Sequence, residues 1–202
     1  MPLNSLSRRS VLVGASALAG ALASPRALWA LTTEQAKTLV GRLVVDINNA
    51  INRSGSDAAV IREFEKILAK YGDMPIIAQT ILGVPWRSAS SGQRRAFTRA
   101  LQGYLARKYG KQFREFIGGT IEVQSARKVR SFFEVKSIAR LRGQAPVELV
   151  FLVSDRSGQD KFFNMIADGI NLRTTENVEI NALLDRNRGN MDAMIQELGT
   201  RG

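Results

Sequence analysis

The sequence predicts an α+β fold in which helices come first, a three- to four-stranded antiparallel sheet follows, and helices close the chain. Two observations support this order. Apolar residues recur every three or four positions before Gly118-Gly119 and every second position after it. Of the 202 residues, 45% are apolar and 23% are charged, which is typical of a globular domain. We expect helices to cover one face of the sheet, with an apolar pocket between them, and the other face to be largely polar.

Capping residues mark the starts of the first two helices. Thr32 and Gln35 form a capping-box pair at the first helix. Ser56 or Asp57 caps the second helix, which ends at Gly72. Both segments carry their apolar residues on one face, so each is expected to pack against a shared core.

Two further helices complete the first half of the chain. Asp73 with Pro75 opens a short third helix. It ends at Gly83. Ser90 and Gln93 form a second capping-box pair, and the long fourth helix that follows carries a stripe of large apolar residues.

The strands follow one another as a meander. Alternating patterns predict strands over residues 120–129, from Phe133 to Arg140, from Val147 to Val153 and over residues 161–167. Asp168-Gly169 is expected to end the last strand.

Two closing helices are expected after the sheet. Their apolar residues lie around residues 178–184 and 191–198. No internal repeat or linker is evident, so residues 31–202 are predicted to form a single domain.

Residues 1–30 have the composition of an export signal. They contain no acidic residue, and adjacent Arg8 and Arg9, which resemble those of a twin-arginine signal, precede an apolar run over residues 11–23. A run of about 13 residues is too short to span a bilayer as a helix. We expect the signal to be cleaved near Ala30, which would make the protein periplasmic. An uncleaved N-terminal anchor is the alternative.

The absence of two residue types excludes many kinds of site. The chain has no Cys, and therefore no disulfide, thiol nucleophile or thiolate-bound metal. It also has no His, which excludes His-dependent triads and His-bound metals. No metal or cofactor is predicted.

The net charge predicts an anionic partner. The formal charge is +11, and without residues 1–30 the chain keeps 26 of its 29 basic residues and all 18 acidic ones, which gives +8. A periplasmic protein meets anionic head groups and acidic proteins instead of nucleic acid. We therefore expect no nucleic-acid partner.

No catalytic residue is predicted. Ser125-Ala126-Arg127-Lys128 matches the S-x-x-K pattern of penicillin-recognising enzymes, but the S-D-N and K-T-G motifs are missing and the segment is a predicted strand. An enzyme on this fold would need a carboxylate base in the pocket, such as Asp168 or Glu134. Because no paired acid–base constellation accompanies these residues, enzymatic activity is the least favoured function.

Basic residues line the fourth helix away from its apolar stripe. A solvated helix face explains them as well as a docking surface for head groups or an acidic partner does. The candidate docking residues are Arg94, Arg95, Arg99, Arg107 and Lys111.

Two segments resemble the MlaC-type family of periplasmic phospholipid shuttles, also called the toluene-tolerance auxiliary family. Residues 81–119, ILGVPWRSASSGQRRAFTRALQGYLARKYGKQFREFIGG, resemble its Leu-Gly, aromatic-basic, Ser/Thr-x-x-Gln-Arg and Tyr-Gly pattern. Residues 160–184, DKFFNMIADGINLRTTENVEINALL, resemble its strand, acidic-Gly turn and final helix. The family usually has Trp where Asp160 stands and Asp where Asn164 stands. Where sheet closure or partner docking in the family depends on these two residues, this chain is expected to differ.

The resemblance implies a non-enzymatic carrier that holds a phospholipid by its acyl chains, with the head group outside. It also implies transfer between an outer-membrane lipoprotein complex and an inner-membrane ABC transporter bearing an MCE-domain protein, a role linked to outer-membrane lipid asymmetry and toluene tolerance. At about 0.8 kcal/mol per exposed CH₂, two acyl chains would cost well over 20 kcal/mol in water. Such a carrier therefore needs a closed apolar pocket.

Inward strand positions and the stripe of the fourth helix are the expected pocket lining. The candidates are Leu82, Trp86, Phe97, Leu101, Tyr104, Leu105, Phe133, Val135, Leu149, Phe151, Met165 and Ile166. The residues leave open whether the cargo is a glycerophospholipid or another amphiphile such as a hopanoid. The alternative function is a periplasmic interaction module with a solid core, which docks through the basic helix and carries no lipid.

Overall fold

The computed structural model describes residues 30–52, 56–112 and 118–202, except for the side chains of residues 111 and 112. Within this part of the chain the order of elements confirms the α+β prediction. The elements are α1 (Thr33–Asn52), α2 (Asp57–Tyr71), α3 (Met74–Leu82), a short 3₁₀ helix (Val84–Arg87), α4 (Ser91–Gln112), β1 (Thr120–Val129), β2 (Phe132–Arg140), β3 (Val147–Ser154), β4 (Lys161–Ala167), β5 (Ile170–Asn171), α5 (Leu172–Arg186) and α6 (Met191–Thr200). None of the described helices is long and apolar enough to cross a bilayer.

The expected capping residues begin the helices. At α1 the backbone N–H of Thr32 donates to Gln35 Oε1 at 2.8 Å, and the N–H of Gln35 donates to Thr32 Oγ1 at 3.2 Å. The same reciprocal bonds join Ser90 and Gln93 before α4, at 3.0 and 3.1 Å. Ser56, the first of the two candidates, caps α2. Each cap satisfies amide groups that a helix start leaves without partners.

The sheet is an antiparallel meander of five strands in the order β1-β2-β3-β4-β5. The sequence predicted three or four strands, which was one too few: the sheet has a fifth strand, the two-residue β5. Asp168-Gly169 ends β4 as expected, but the sheet continues beyond it: both residues have positive φ, 48° and 78°, and Ala167 pairs with Ile170 across them. Two consecutive positive φ angles are the signature of a tight two-residue hairpin, for which Asp-Gly is a preferred sequence.

The inner face of the sheet packs against the helices. α1 lies against β1, β2 and β3, while α3 and α5 lie against β4. Alternate residues of the two central strands join the main core: Phe133, Val135, Ala139, Leu149, Phe151 and Val153. The strand alternation therefore predicted the inward face correctly.

The outer face is less polar than expected. Val150 and Leu152 of β3 are buried there, although they lie outside the main core. Polar side chains form ion pairs on the same face, Arg127 with Glu134 and Lys136 with Glu148. Long neighbouring side chains can cover a central strand, so the outer alternate residues of β3 need not be polar.

A side-chain amide joins α1 to the edge strand β1. Asn48 Nδ2 donates to the carbonyl of Ile121 at 3.2 Å, and Asn48 Oδ1 accepts from the N–H of Ile121 at 3.1 Å. Because β1 has a strand neighbour on one side, the amide of Asn48 satisfies both groups on the other. This contact fixes α1 over the sheet.

We expect Asn48→Ala to lower the free energy of unfolding by about 2 kcal/mol, since both hydrogen bonds to Ile121 are lost. Urea unfolding followed by circular dichroism measures the change. Asn181→Ala is the matched control, because within the described residues the side-chain amide of Asn181 bonds only inside α5, to Asn177 O. A loss no larger for Asn48→Ala than for the control would show that the contact does not hold α1 in place.

Candidate functional site

An apolar cavity of about 120 Å³ lies between the inner face of the sheet and the helices. Every α-helix except α6 contributes to it, together with β1, β3 and β4. Its lining residues are Leu43, Ile47, Phe64, Ile67, Leu68, Ile77, Ile81, Leu105, Tyr109, Ile121, Leu149, Phe151, Phe162, Phe163, Asn164, Met165, Leu172, Arg173 and Glu176. The surface they present is almost wholly apolar.

The position of the cavity follows from where the helices meet the sheet. α1 contacts β1 more extensively than β3, while α3 and α5 contact β4. Leu149 and Phe151 of β3 line the cavity between these helices. The ring of Phe151 meets that of Phe162 edge to face, with centroids 6.1 Å apart, which gives the cavity a rigid aromatic floor.

One end of the cavity carries a buried polar group. Glu176 of α5 lines the cavity with only 1% of its surface exposed. Its Oε1 accepts a hydrogen bond from Lys108 Nζ at 2.8 Å and another from the hydroxyl of Tyr109. Lys108 also pairs with Glu179 Oε1 at 2.8 Å, and the hydroxyl of Tyr104 donates to Glu179 Oε2 at 2.7 Å. We call these five residues the α4–α5 polar cluster.

The environment of this cluster keeps its donors protonated. Burial, reinforced by the hydrogen bonds to Glu179 and Glu176, raises the pKa of Tyr104 and of Tyr109 well above the ordinary value. Burial opposes the charged form of Lys108, but its hydrogen bonds to the two carboxylates outweigh that effect and raise its pKa. The hydrogen bond from Lys108 in turn lowers the pKa of Glu179. The cluster therefore holds one ammonium and two neutral hydroxyls against the two glutamates.

The rim of the cavity is organised by Asn164 of β4. Its Oδ1 accepts from the backbone N–H groups of Met165 and Arg173, at 2.9 and 3.2 Å. Its Nδ2 donates to Asn171 Oδ1 at 3.0 Å, and that oxygen caps α5 by accepting from the N–H of Thr174. An Asp at position 164, usual in the family that the sequence resembles, would lack the donor to Asn171. The Asn thus ties the end of the sheet to the start of α5.

Four of the twelve expected pocket residues line the cavity: Leu105, Leu149, Phe151 and Met165. Five others are buried in the core away from it: Leu82, Phe97, Leu101, Phe133 and Val135. The apolar stripe of α4 packs mainly against α2 and α6. Most residues of this stripe therefore lie in the close-packed core and not in the cavity lining.

The remaining three expected residues have other surroundings. Tyr104 belongs to the α4–α5 polar cluster. Trp86 is half-buried on the 3₁₀ helix, and Ile166 is half-buried beside Met165, on the opposite side of β4.

Most of the lining comes from residues that the sequence analysis assigned to ordinary core. α1, α2 and α3 supply seven of the lining residues, and their spacing is that of any buried helix face. Glu176 did carry a signal. It stands midway between Leu172 and Ile180 at a spacing of four, so that an acid interrupts an apolar stripe.

Two of the candidate docking residues are engaged within the protein. Arg94 Nε donates to the carbonyl of Trp86 at 3.0 Å, and its guanidinium lies over the indole ring. Arg107 donates to the carbonyls of Arg201 and Leu198, at 2.5 and 3.0 Å, and so closes the end of α6. Their first role is structural.

Two other candidates remain available on the surface. Arg95 and Arg99 are exposed on α4. The side chain of Lys111 lies outside the described residues.

Neither carboxylate considered for an enzyme lies in the cavity lining. Asp168 is exposed at the β4–β5 turn, and Glu134 pairs with Arg127 at 2.5 Å. Ser125 and Lys128 lie on strand β1, not at a helix start. Within the described residues, no group of acidic side chains could hold a metal ion.

Comparison with known proteins relates the chain to a protein family and to solved structures. A family model described as MlaC protein matches residues 37–200. The solved structure of a phospholipid-binding protein from Ralstonia solanacearum, in complex with a phospholipid, superimposes with a TM-score of 0.69 and 19% sequence identity, covering 81% of this chain and 94% of that one. At this identity the structural likeness shows the fold alone.

The two tyrosines of the cluster predict how stability depends on pH. Their pKa values are raised, so above about pH 10 the unfolded chain loses tyrosine protons that the folded chain retains. We expect the free energy of unfolding to be insensitive to these groups below that pH and to fall as the pH rises beyond it. The double variant Tyr104→Phe/Tyr109→Phe should fall less steeply.

Urea unfolding from about pH 8 to about pH 11, on either side of the ordinary tyrosine pKa, measures both curves. The values at the lower pH are the internal control for the general effect of losing two hydroxyls. Equal slopes for the two proteins in the alkaline range would contradict the assignment.

Proposed function

The chain belongs to the MlaC family, whose members are periplasmic, bind phospholipid and are not enzymes, and from that premise we propose that this protein is a carrier holding a phospholipid by its acyl chains in the cavity. The observation that carries the proposal is the cavity itself: an almost wholly apolar lining that ends in the exposed Arg173. Acyl chains gain about 0.8 kcal/mol per CH₂ on leaving water, and a charged rim suits a head group that stays in it.

The proposed transfer route follows from the family. We propose that the protein moves its lipid between an outer-membrane lipoprotein complex and an inner-membrane ABC transporter bearing an MCE-domain protein. Arg95 and Arg99 are the docking residues that we retain, since they are exposed and Arg94 and Arg107 bond within the protein. Exposed charges of this kind mainly raise the rate of encounter with an acidic partner.

The structure also supports the proposed cleavage near Ala30. The side chain of Leu31 is buried, and its backbone N–H donates to Asp155 Oδ2 at 3.0 Å. Cleavage after Ala30 would convert this N–H into an ammonium group beside the carboxylate, which strengthens the hydrogen bond. Residues 1–29 of the proposed signal, which spans residues 1–30, lie outside the described residues.

Native mass spectrometry of the secreted protein tests the carrier and its processing together. We expect a chain that begins at Leu31, with one phospholipid bound and identified after solvent extraction. Leu149→Arg places a charge in the apolar cavity, and burying an unpaired charge is costly. We expect this variant to retain at most about a tenth of the lipid.

Val178→Arg is the matched control, because Val178 is 65% exposed on α5 and does not line the cavity. Circular dichroism establishes that both variants are folded. Full lipid content in folded Leu149→Arg would contradict the location of the site. An apo wild-type protein that takes up no lipid from liposomes would favour the docking module.

We expect Arg95→Glu/Arg99→Glu to slow lipid delivery to vesicles containing the purified inner-membrane complex by about tenfold at low salt, through lost electrostatic attraction. The lipid content should not change. Arg42→Glu/Arg156→Glu alters the net charge equally at exposed positions on α1 and the β3–β4 turn. Fluorescent-lipid transfer measures the rates. If both double variants slow delivery alike, net charge and not this face of α4 governs docking.

A further inference from the structure

An exposed apolar residue stands on the short turn between α3 and α4. Val84, the first residue of the 3₁₀ helix Val84–Arg87, is 80% exposed, the highest value among the large apolar residues of the described chain. Trp86 was expected in the pocket but lies half-buried on the same turn. A single exposed apolar side chain is ordinary on a protein surface. The way in which this one is held is not.

The start of the turn is fixed by a close contact with α5. Asn177 Nδ2 donates to the carbonyl of Ile81, near the end of α3, at 2.6 Å. Gly83 has a positive φ of 70°, which favours glycine, and a Cβ there would stand 3.2 Å from the same amide nitrogen. The backbone that leads into Val84 is therefore closely defined.

The end of the turn is fixed by α4. Arg94 Nε donates to the carbonyl of Trp86 at 3.0 Å, and Arg94 Nη2 donates to that of Arg87 at 3.1 Å. The same guanidinium lies over the indole ring, 5.5 Å from its centroid. A turn that is ordered before it binds loses little conformational entropy on binding, so more of the contact energy appears as affinity.

Val84 and Arg87 project from the same side of this turn. A 3₁₀ helix has three residues per turn, so side chains three positions apart are aligned along it. Arg87 is exposed and forms no ion pair within the described residues. The two side chains thus form one exposed surface, an apolar group beside an unpaired guanidinium, which we call the Val84–Arg87 surface.

The chain around this surface is cationic. Between Asp73 and Glu115 the sequence has eight Arg and Lys residues and no acidic one. Arg95 and Arg99, the docking residues retained above, are exposed on the helix that follows the turn. Such a surface attracts an acidic partner and repels a second copy of this chain, which carries the same positive charges.

An acidic protein fits this surface better than a bilayer does. Even a whole myristoyl chain gives only marginal membrane binding. Val84 is a much smaller apolar group, and the indole of Trp86 is covered by Arg94 and packed against the core. Interfaces between proteins, by contrast, place Trp and Arg at their centres and exclude water around a rigid contact.

We propose that the Val84–Arg87 surface is an anchor through which this protein docks on an acidic protein, with Val84 in a small apolar pocket of the partner and Arg87 on one of its carboxylates. This inference rests on the proposed function, in which Arg95 and Arg99 mainly raise the rate of encounter. The anchor sets how long the complex lasts, because close contacts act chiefly on dissociation. Ile81 of the preceding helix lines the cavity, so a partner docked here stands beside the cavity wall.

Surface plasmon resonance measures association and dissociation separately. The purified inner-membrane ABC complex and the purified outer-membrane lipoprotein complex are immobilised in separate channels, and the mature protein is passed over both. We expect Val84→Ser to raise the dissociation rate from at least one complex about tenfold, with little change in the association rate, since it loses the apolar contact of one Val. Val45→Ser is the matched control, because Val45 is also exposed, by 56%, on α1.

The charge of the anchor has its own variant. Arg87→Gln should also raise the dissociation rate and should make it less sensitive to salt, whereas Arg42→Gln, at an exposed position on α1, should not. All four substitutions are at exposed positions, and circular dichroism establishes that the variants are folded. Wild-type dissociation of Arg87→Gln would remove Arg87 from the anchor.

The remaining outcomes separate the anchor from the proposed function. If the wild-type protein binds a complex but Val84→Ser dissociates no faster than Val45→Ser from either one, the anchor is refuted and the transfer route is retained. If the wild-type protein binds neither complex, the transfer route is refuted and the anchor with it. Protein-free vesicles of phosphatidylethanolamine and phosphatidylglycerol, and size-exclusion chromatography at rising protein concentration, test the other occupants. Vesicle binding or dimerisation that Val84→Ser abolishes would overturn the acidic protein as the occupant.

Discussion

The apolar inner face of the sheet has to be covered by helices, and the rest of this structure depends on that constraint. α1 packs mainly on β1, and α3 with α5 packs on β4, so the cavity lies between these helices and against β3. At about 24 cal/mol per Å³, an empty cavity of about 120 Å³ costs about 3 kcal/mol. In the proposed carrier, an acyl chain that fills the cavity would recover that free energy. The cavity therefore lowers the stability of the fold while it favours the proposed binding, and the rest of the core supplies the stability.

The wall nearest the rim is held by polar contacts. The α4–α5 polar cluster joins the two helices through Lys108 and its two glutamates, and Asn164 joins β4 to the start of α5. A buried ion pair contributes little net stability, because desolvation offsets the attraction. It does require one geometry, however. The result is a defined position for the exposed Arg173 and for the buried Glu176 in a cavity whose other walls make non-directional apolar contacts.

The sequence predicted the elements far better than the site. Capping boxes at Thr32 and Ser90 specify local hydrogen bonds, and these formed as expected. The alternation in β2 and β3 separates two faces, and two of the inward residues, Leu149 and Phe151, line the cavity. Phe97 and Leu101 follow the same rules, yet they lie in solid core. Periodicity reports which face is buried, whereas a cavity depends on how far apart the buried faces lie, which is a property of the helix positions.

The geometry also bears on the direction of the proposed transport. An acyl chain of about 16 carbons would cost about 13 kcal/mol in water, so the proposed carrier would release it into solvent slowly and a partner would have to offer another apolar surface. The described part of the chain offers one apolar cavity, so a lipid would leave the same environment whichever complex is docked. Such a carrier would shift no equilibrium, because it would interact identically with cargo from either side. Under the proposed function, the direction of transfer would therefore come from the partners: from their relative affinity for the lipid or from the energy that one of them spends.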